Sequence, residues 1–226
     1  MAGVLALVKP RVFLLSPANC GGTRAQQLLS DRASFDLAVR LRAEGAPLGE
    51  VFTFMSGLYF RGKLAYALRF ARPDQDADPG IVGRGIFVIT PGAGLRAPET
   101  IVTREAITSF GRVGIGVDEP RYRRPLEAAA LRLAEAAPQA EVVLLGSVAT
   151  PKYVDVLVAI FGNRLMFPSS FVGRGDMSRG GLMLRHVESG VELDYVPVAG
   201  AVRHGTRPPK LEPLGPLRSG SGRRRS

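Results

Sequence analysis

The sequence has no tryptophan, one cysteine (Cys20) and two histidines (His186 and His204). A single cysteine excludes an internal disulfide and fits a reducing compartment. So few soft ligands, none of them at metal-ligand spacing, argue against a zinc or iron centre. The lack of tryptophan weakens a broad single-strand stacking platform. No run of about 18 apolar residues is present, so no membrane-spanning helix and no membrane partner are expected. Residues 1–15, MAGVLALVKPRVFLL, carry no early basic region and no small-residue cleavage site after their apolar part. They read as a strand rather than a signal peptide, and the expected location is cytoplasmic. Three signatures are also missing: GxxxxGK[ST], a GxGxxG opening a helix after a strand, and a nucleophile elbow. Their absence leaves no cofactor and no serine hydrolase of the usual motif to expect.

What is present is enough to bury a large core: 226 residues, 46% of them hydrophobic. A single α/β domain is expected over residues 1–202, with a mixed or mostly parallel central sheet flanked by helices. The formal charge of +10 is unevenly spread, since residues 203–226 hold seven basic residues against Glu212. That segment is rich in proline, glycine and serine and reads as a disordered polycation. Such a segment would attract nucleic acid through counterion release, or could be inert.

Two strand-loop-helix units stand out. Residues 12–15 form a buried strand that runs into Ser16, Asn19, Gly21, Gly22 and Arg24 before a helix to about residue 29. Residues 142–145 form a second, ending at Gly146 and Ser147, with Thr150 as N-cap, Pro151 in the first helical position and apolar residues at helical spacing over 153–161. Each helix opens with a cation, Arg24 or Lys152, which opposes the macrodipole unless an anion binds there. Open α/β sheets place ligands at such strand ends. A third strand at 85–89 likewise opens into a glycine-rich turn. Cys20 lies in the first loop with no histidine nearby and reads as a small buried thiol rather than a nucleophile.

Elsewhere, helices are expected at 36–44, from the segment 56–63 to about 71, at 103–110 and at 120–137, and the last strands at 182–187 and 193–198. In the second of these helices Leu58, Phe60, Leu64, Ala67, Leu68 and Ala71 can form the apolar side, while Tyr59, Lys63 and Tyr66 share another face. Tyr59 with Lys63 could clamp a base or phosphate, or the face could be solvated. Gly173, Gly175, Gly180 and Gly181 surround Arg174, Asp176, Ser178 and Arg179. This spacing reads either as a shaped loop presenting guanidinium and backbone N–H groups to a ligand or as an ordinary flexible hairpin.

In order along the chain, LLSPANCGGTRA, SGLYFRGKLAYA, ITPGAGLRAPETIV and VVLLGSVATPKYVDVL resemble motifs of a bacterial group of small α/β domains that includes the peroxide-stress, DNA-binding YaaA proteins. The resemblance spans residues 12–157 and implies an α/β fold and DNA binding, without a known reaction. GRGDMSRGG has no counterpart in it.

Two functions follow. In the first, the protein binds nucleic acid, DNA above all, or a nucleotide-like anion, with Ser16, Arg24, Tyr59, Lys63, Ser147, Lys152, Arg174 and Arg179 around the ligand or its phosphates. In the second it is an enzyme on a nucleotide, nucleoside or base, in which Asn19 or Asp176 positions water or takes a proton. A scaffold whose glycine loops shape an interface is a third, blander reading.

Overall fold

A computed structural model describes residues 9–211. The N-terminal residues 1–8 and the tail residues 212–226, including most of the expected polycation, lie outside the described residues. The chain runs through β1 (Arg11–Leu15), α1 (Thr23–Leu29), α2 (Asp36–Ala43), β2 (Ala46–Pro47), α3 (Leu48–Ser56), α4 (Leu58–Phe70) and α5 (Pro79–Val82). It continues with β3 (Ile86–Thr90), β4 (Gly94–Arg96), β5 (Ile101–Val102), α6 (Arg104–Gly111), α7 (Pro120–Ala136) and β6 (Glu141–Leu145). The last elements are α8 (Pro151–Phe161), β7 (Leu165–Pro168), α9 (Asp176–Ser189) and β8 (Tyr195–Pro197).

Six strands form one mixed, mostly parallel sheet in the order β4-β3-β1-β6-β7-β8. The inner four are parallel, and the two edge strands pair antiparallel. Strands β2 and β5 form a separate antiparallel pair. Because Val12, Phe13, Leu14 and Leu15 are all fully buried, β1 needs helices on both faces, which its continuous apolar run demands. Phe13, Leu15, Val143 and Leu145 pack under α1, α2, α3, α4, α6 and α9. Val12, Leu14, Val142 and Leu144 point the other way, under α7 and α8.

The chain leaves β1 toward β3 on one side and later leaves β6 toward β7 on the other. The switch point therefore falls between β1 and β6, where open α/β sheets part to form a crevice. Leu15 pairs with Leu145, so Ser16 and Gly146 emerge side by side at that crevice.

Three expectations are corrected. The segment 182–187 is not a strand but the middle of α9. The glycine-rich segment before it is not an open loop: Gly175 is the N-cap of α9, and Gly180 and Gly181 lie within the helix. Glycine there allows backbone contact, for a Cβ on Gly62 of α4 would stand 2.7 Å from the Gly180 carbonyl oxygen. Close packing of α4 on α9 also overturns the expected faces of α4. Tyr59, Lys63 and Tyr66 are buried, while Leu68 is 43% exposed.

Residues 203–211 carry no helix or strand, and the Pro209 carbonyl accepts a hydrogen bond from Arg174.

Candidate functional site

A cleft of about 610 Å³ opens at the carboxyl ends of the parallel strands. Ser16, Pro17, Ala18, Asn19, Cys20 and Gly21 line it from the loop after β1, Pro91 from the end of β3, and Ser147 and Thr150 from the loop after β6. Lys152 and Tyr153 of α8, Asp176 of α9, Ser56 and Tyr59 complete its polar part, and Phe110, Val113 and Ile115 give it an apolar wall. Three turns that are far apart in sequence thus meet at one end of the sheet.

Of the residues singled out in the sequence, Ser16, Asn19, Tyr59, Ser147, Lys152 and Asp176 line this cleft. Lys152 is exposed at its rim. The Asp176 carboxylate is 66% exposed and lies 3.4 Å from the Arg179 guanidinium. Asn19 accepts a hydrogen bond from the Gly21 N–H through Oδ1, at 3.1 Å, which folds the loop back on itself.

The other four are spent on structure at the cleft's edge or behind it. Arg24 is exposed and donates to the Phe54 carbonyl, bracing α1 against α3. Arg174 donates to the Ser170 carbonyl, the Ser178 hydroxyl and the Pro209 carbonyl. Arg179 is buried, with Nε and Nη2 both donating to the Phe171 carbonyl. Lys63 is fully buried behind Ser16 rather than on a solvated face. Guanidinium groups near glycines in sequence were here needed to satisfy backbone carbonyls, so proximity along the chain did not become presentation to a ligand.

Lys63 Nζ lies 2.6 Å from the Ser16 carbonyl oxygen and 2.9 Å from Ser16 Oγ. The rings of Tyr59 and Phe60 stand 4.3 and 4.8 Å from it. Burial drives its ammonium from the ordinary lysine range down to about 7, Asp176 opposes that fall, and Arg179 adds to it. Among the described residues no carboxylate forms an ion pair with it. A charged group seldom sits so deep without one.

Tyr153 is the site residue that sequence reasoning missed. Its hydroxyl accepts the Ser147 N–H at 3.1 Å, and burial raises its pKa against the opposing pull of Ser16 and that N–H. It follows Lys152 directly in the first turn of α8, so its place beside the strand end was the available signal. A Cβ at Gly146 would fall 2.8 Å from Ser16 Cβ and 2.9 Å from Tyr153 Oη, so only glycine lets β6, Ser16 and Tyr153 meet. Tyr59 is 6% exposed, and its hydroxyl has no hydrogen-bond partner among the described residues.

Four helices begin at the cleft: α1, α4, α8 and α9. None has a capping side chain, with Gly22, Gly57, Thr150 and Gly175 at their N-caps. Helices α2 and α3 are uncapped as well, whereas Asp78, Thr103 and Glu119 cap α5, α6 and α7. Uncapped first-turn N–H groups around a cleft favour an anion or a developing negative charge. Cys20 is buried, donates to the Ala18 carbonyl, and has its thiol pushed up to about 12 by burial. No group of three or more metal-ligating side chains is found among the described residues, and no described helix is long and apolar enough to cross a membrane.

Compared with protein-family models, curated proteins and solved structures, the chain matches none of them.

Proposed function

We propose that the protein is an enzyme acting on a nucleotide, nucleoside or base held in this cleft. The observation that carries the reading is the meeting, at the β1/β6 switch point, of uncapped helix N-termini and Lys152 with the apolar wall of Phe110, Val113 and Ile115. The first group suits a phosphate or sugar oxygen, and the second suits a base. Asp176 and Asn19 are the polar groups at hand to position water or accept a proton.

A thermal-shift series with nucleobases, nucleosides, nucleotides, single strands and duplexes tests this, since a ligand that binds the folded state raises its melting temperature. A small nucleoside or nucleotide should stabilise the protein, and Asp176→Asn should abolish turnover while leaving the fold intact. No shift with any of these small ligands would remove the reading.

A DNA-binding role is the second reading, in keeping with the resemblance to the YaaA group, and the exposure of Lys152 on the rim favours it. It requires binding that falls steeply with salt. Under it Asp176→Asn binds as well as the parent or better, because a negative charge has left a phosphate site.

A further inference from the structure

We propose that Ser16 is a nucleophile and Lys63 its general base, so that the cleft cleaves an acyl substrate, an ester or amide, through a covalent Ser16 ester. The proposal rests on the cleft being catalytic, and not on the substrate being a nucleotide.

Three observations meet at Ser16. It is the first residue past β1, at the switch point, 6% exposed yet lining the cleft. Its Oγ is 2.9 Å from Lys63 Nζ, a distance suited to proton transfer. Lys63 Nζ is simultaneously anchored 2.6 Å from the Ser16 carbonyl oxygen. A neutral amine has two N–H donors and one lone pair, so it can donate to that carbonyl and still accept the Oγ proton. The ammonium form instead turns its extra N–H toward the Tyr59 ring, 4.3 Å away. Both protonation states thus have a place to exist, as a base that cycles requires. Burial without a paired carboxylate keeps a large neutral fraction near pH 7.

A purely structural lysine would tie α4 to the end of β1 and need nothing in the cleft. Here the hydroxyl it holds, Ser16 Oγ, belongs to a residue that lines the cleft, and so does Tyr59, whose ring stands against the lysine nitrogen.

The steps balance with water as the only co-reactant. Ser16 Oγ bonds to the acyl carbon as its proton passes to Lys63 Nζ, and the carbonyl electrons move to oxygen, where the uncapped first turn of α8 offers N–H groups. Collapse expels the alcohol or amine, which takes the proton from Lys63. Water then attacks the Ser16 ester, gives one proton to Lys63, and the acid leaves as Oγ recovers that proton.

The test treats the full chain with a fluorophosphonate, in which fluoride leaves as Ser16 Oγ bonds to phosphorus, and reads the adduct by intact mass and peptide mapping. One adduct at Ser16 is expected, absent in Ser16→Ala, forming about 10²-fold more slowly in Lys63→Met. In the parent protein the rate should climb with pH through about 7, the midpoint set by Lys63. An adduct elsewhere, none at all, or a rate flat from about pH 5 to about pH 9 would overturn the proposal. The parent pH profile decides even where Lys63→Met fails to fold. Labelling of Ser16 with no nucleotide-induced thermal shift leaves this inference standing and removes the nucleotide reading, whereas a shift without labelling does the reverse.

Discussion

Gly62 and Gly180 face each other where α4 crosses α9, with no room for a methyl group on either. A Cβ on Gly62 would lie 2.7 Å from the Gly180 carbonyl oxygen, and a Cβ on Gly180 would lie 2.8 Å from the Leu58 carbonyl oxygen. The obstacles are backbone, so neither helix can yield without moving as a whole. This contact sets the separation of Lys63, one residue past Gly62, from Asp176 and Arg179 at the start of α9, whose charges act on it.

Gly180→Ala should therefore destabilise the protein by about 1–3 kcal/mol, the usual cost of overpacking. Gly181→Ala is the control. Its Cβ would meet only the Leu211 side chain at an ordinary 3.6 Å, and alanine is the better helix former, so it should be neutral or stabilising by up to about 1 kcal/mol. Urea denaturation of the two variants checks this, and equal effects would mean that α4 and α9 are not in backbone contact.

Lys63 should make stability depend on pH in a recognisable window. Its folded-state pKa of about 7 lies below the ordinary lysine value of 10.5, so between these limits the unfolded chain holds a proton that the folded chain does not. Stability from this group thus rises with pH across that window, by at most about 1.4 kcal/mol per unit, and is flat below it, where both states are protonated. In Lys63→Met the rise should vanish. Chemical denaturation at several pH values measures it, and an identical slope in parent and variant would show that Lys63 keeps its proton.

How much of this was legible in the sequence depends on which force governed each segment. The continuous apolar runs of β1 and β6 can only be strands covered on both faces, so the α/β sheet and its ligand-bearing strand ends followed directly. Ser16, Ser147 and Lys152 line the cleft for that reason. Segment 173–187 failed because glycine carries two messages. Its conformational freedom suggested a loop, while its small size in fact served helix-to-helix contact at Gly180, a partner invisible in the sequence. Lys63 failed in the same way, since lysine reads as a surface residue and only the tertiary meeting of α4 with the end of β1 supplies the Ser16 acceptors that let it be buried.

Gly146→Ala should damage the cleft more than the fold. The added methyl would meet Ser16 Cβ at 2.8 Å, an atom fixed to the backbone just past β1, and Tyr153 Oη at 2.9 Å, the tip of a side chain. The backbone beyond the paired strand ends must then shift locally and the two site residues part, while the register within β1 and β6 persists. A displacement of about 1 Å at a reacting group costs about 10²-fold in rate. The expected result is a melting temperature within a few degrees of the parent and fluorophosphonate labelling of Ser16 slowed by about that factor. Unaltered labelling would mean that Tyr153 and the end of β6 have no part in placing Ser16.

Cys20 supplies a probe for whatever occupies the cleft. It is 7% exposed, lines the cleft, and has its thiol pushed up to about 12 by burial, so almost no thiolate is present at neutral pH. Alkylation by iodoacetamide must then wait for an opening of the loop after β1 or for global unfolding, in both of which the thiol regains an ordinary pKa. A ligand that binds only the closed form suppresses that opening by the factor 1 + [L]/Kd, about 100-fold at 100 Kd. Labelling followed by mass spectrometry should therefore be slow in the folded protein, fast in denaturant, and slowed further by true cleft ligands at saturating concentration. Rapid alkylation of the native protein, or protection by none of the compounds that raise its melting temperature, would place those compounds elsewhere on the molecule.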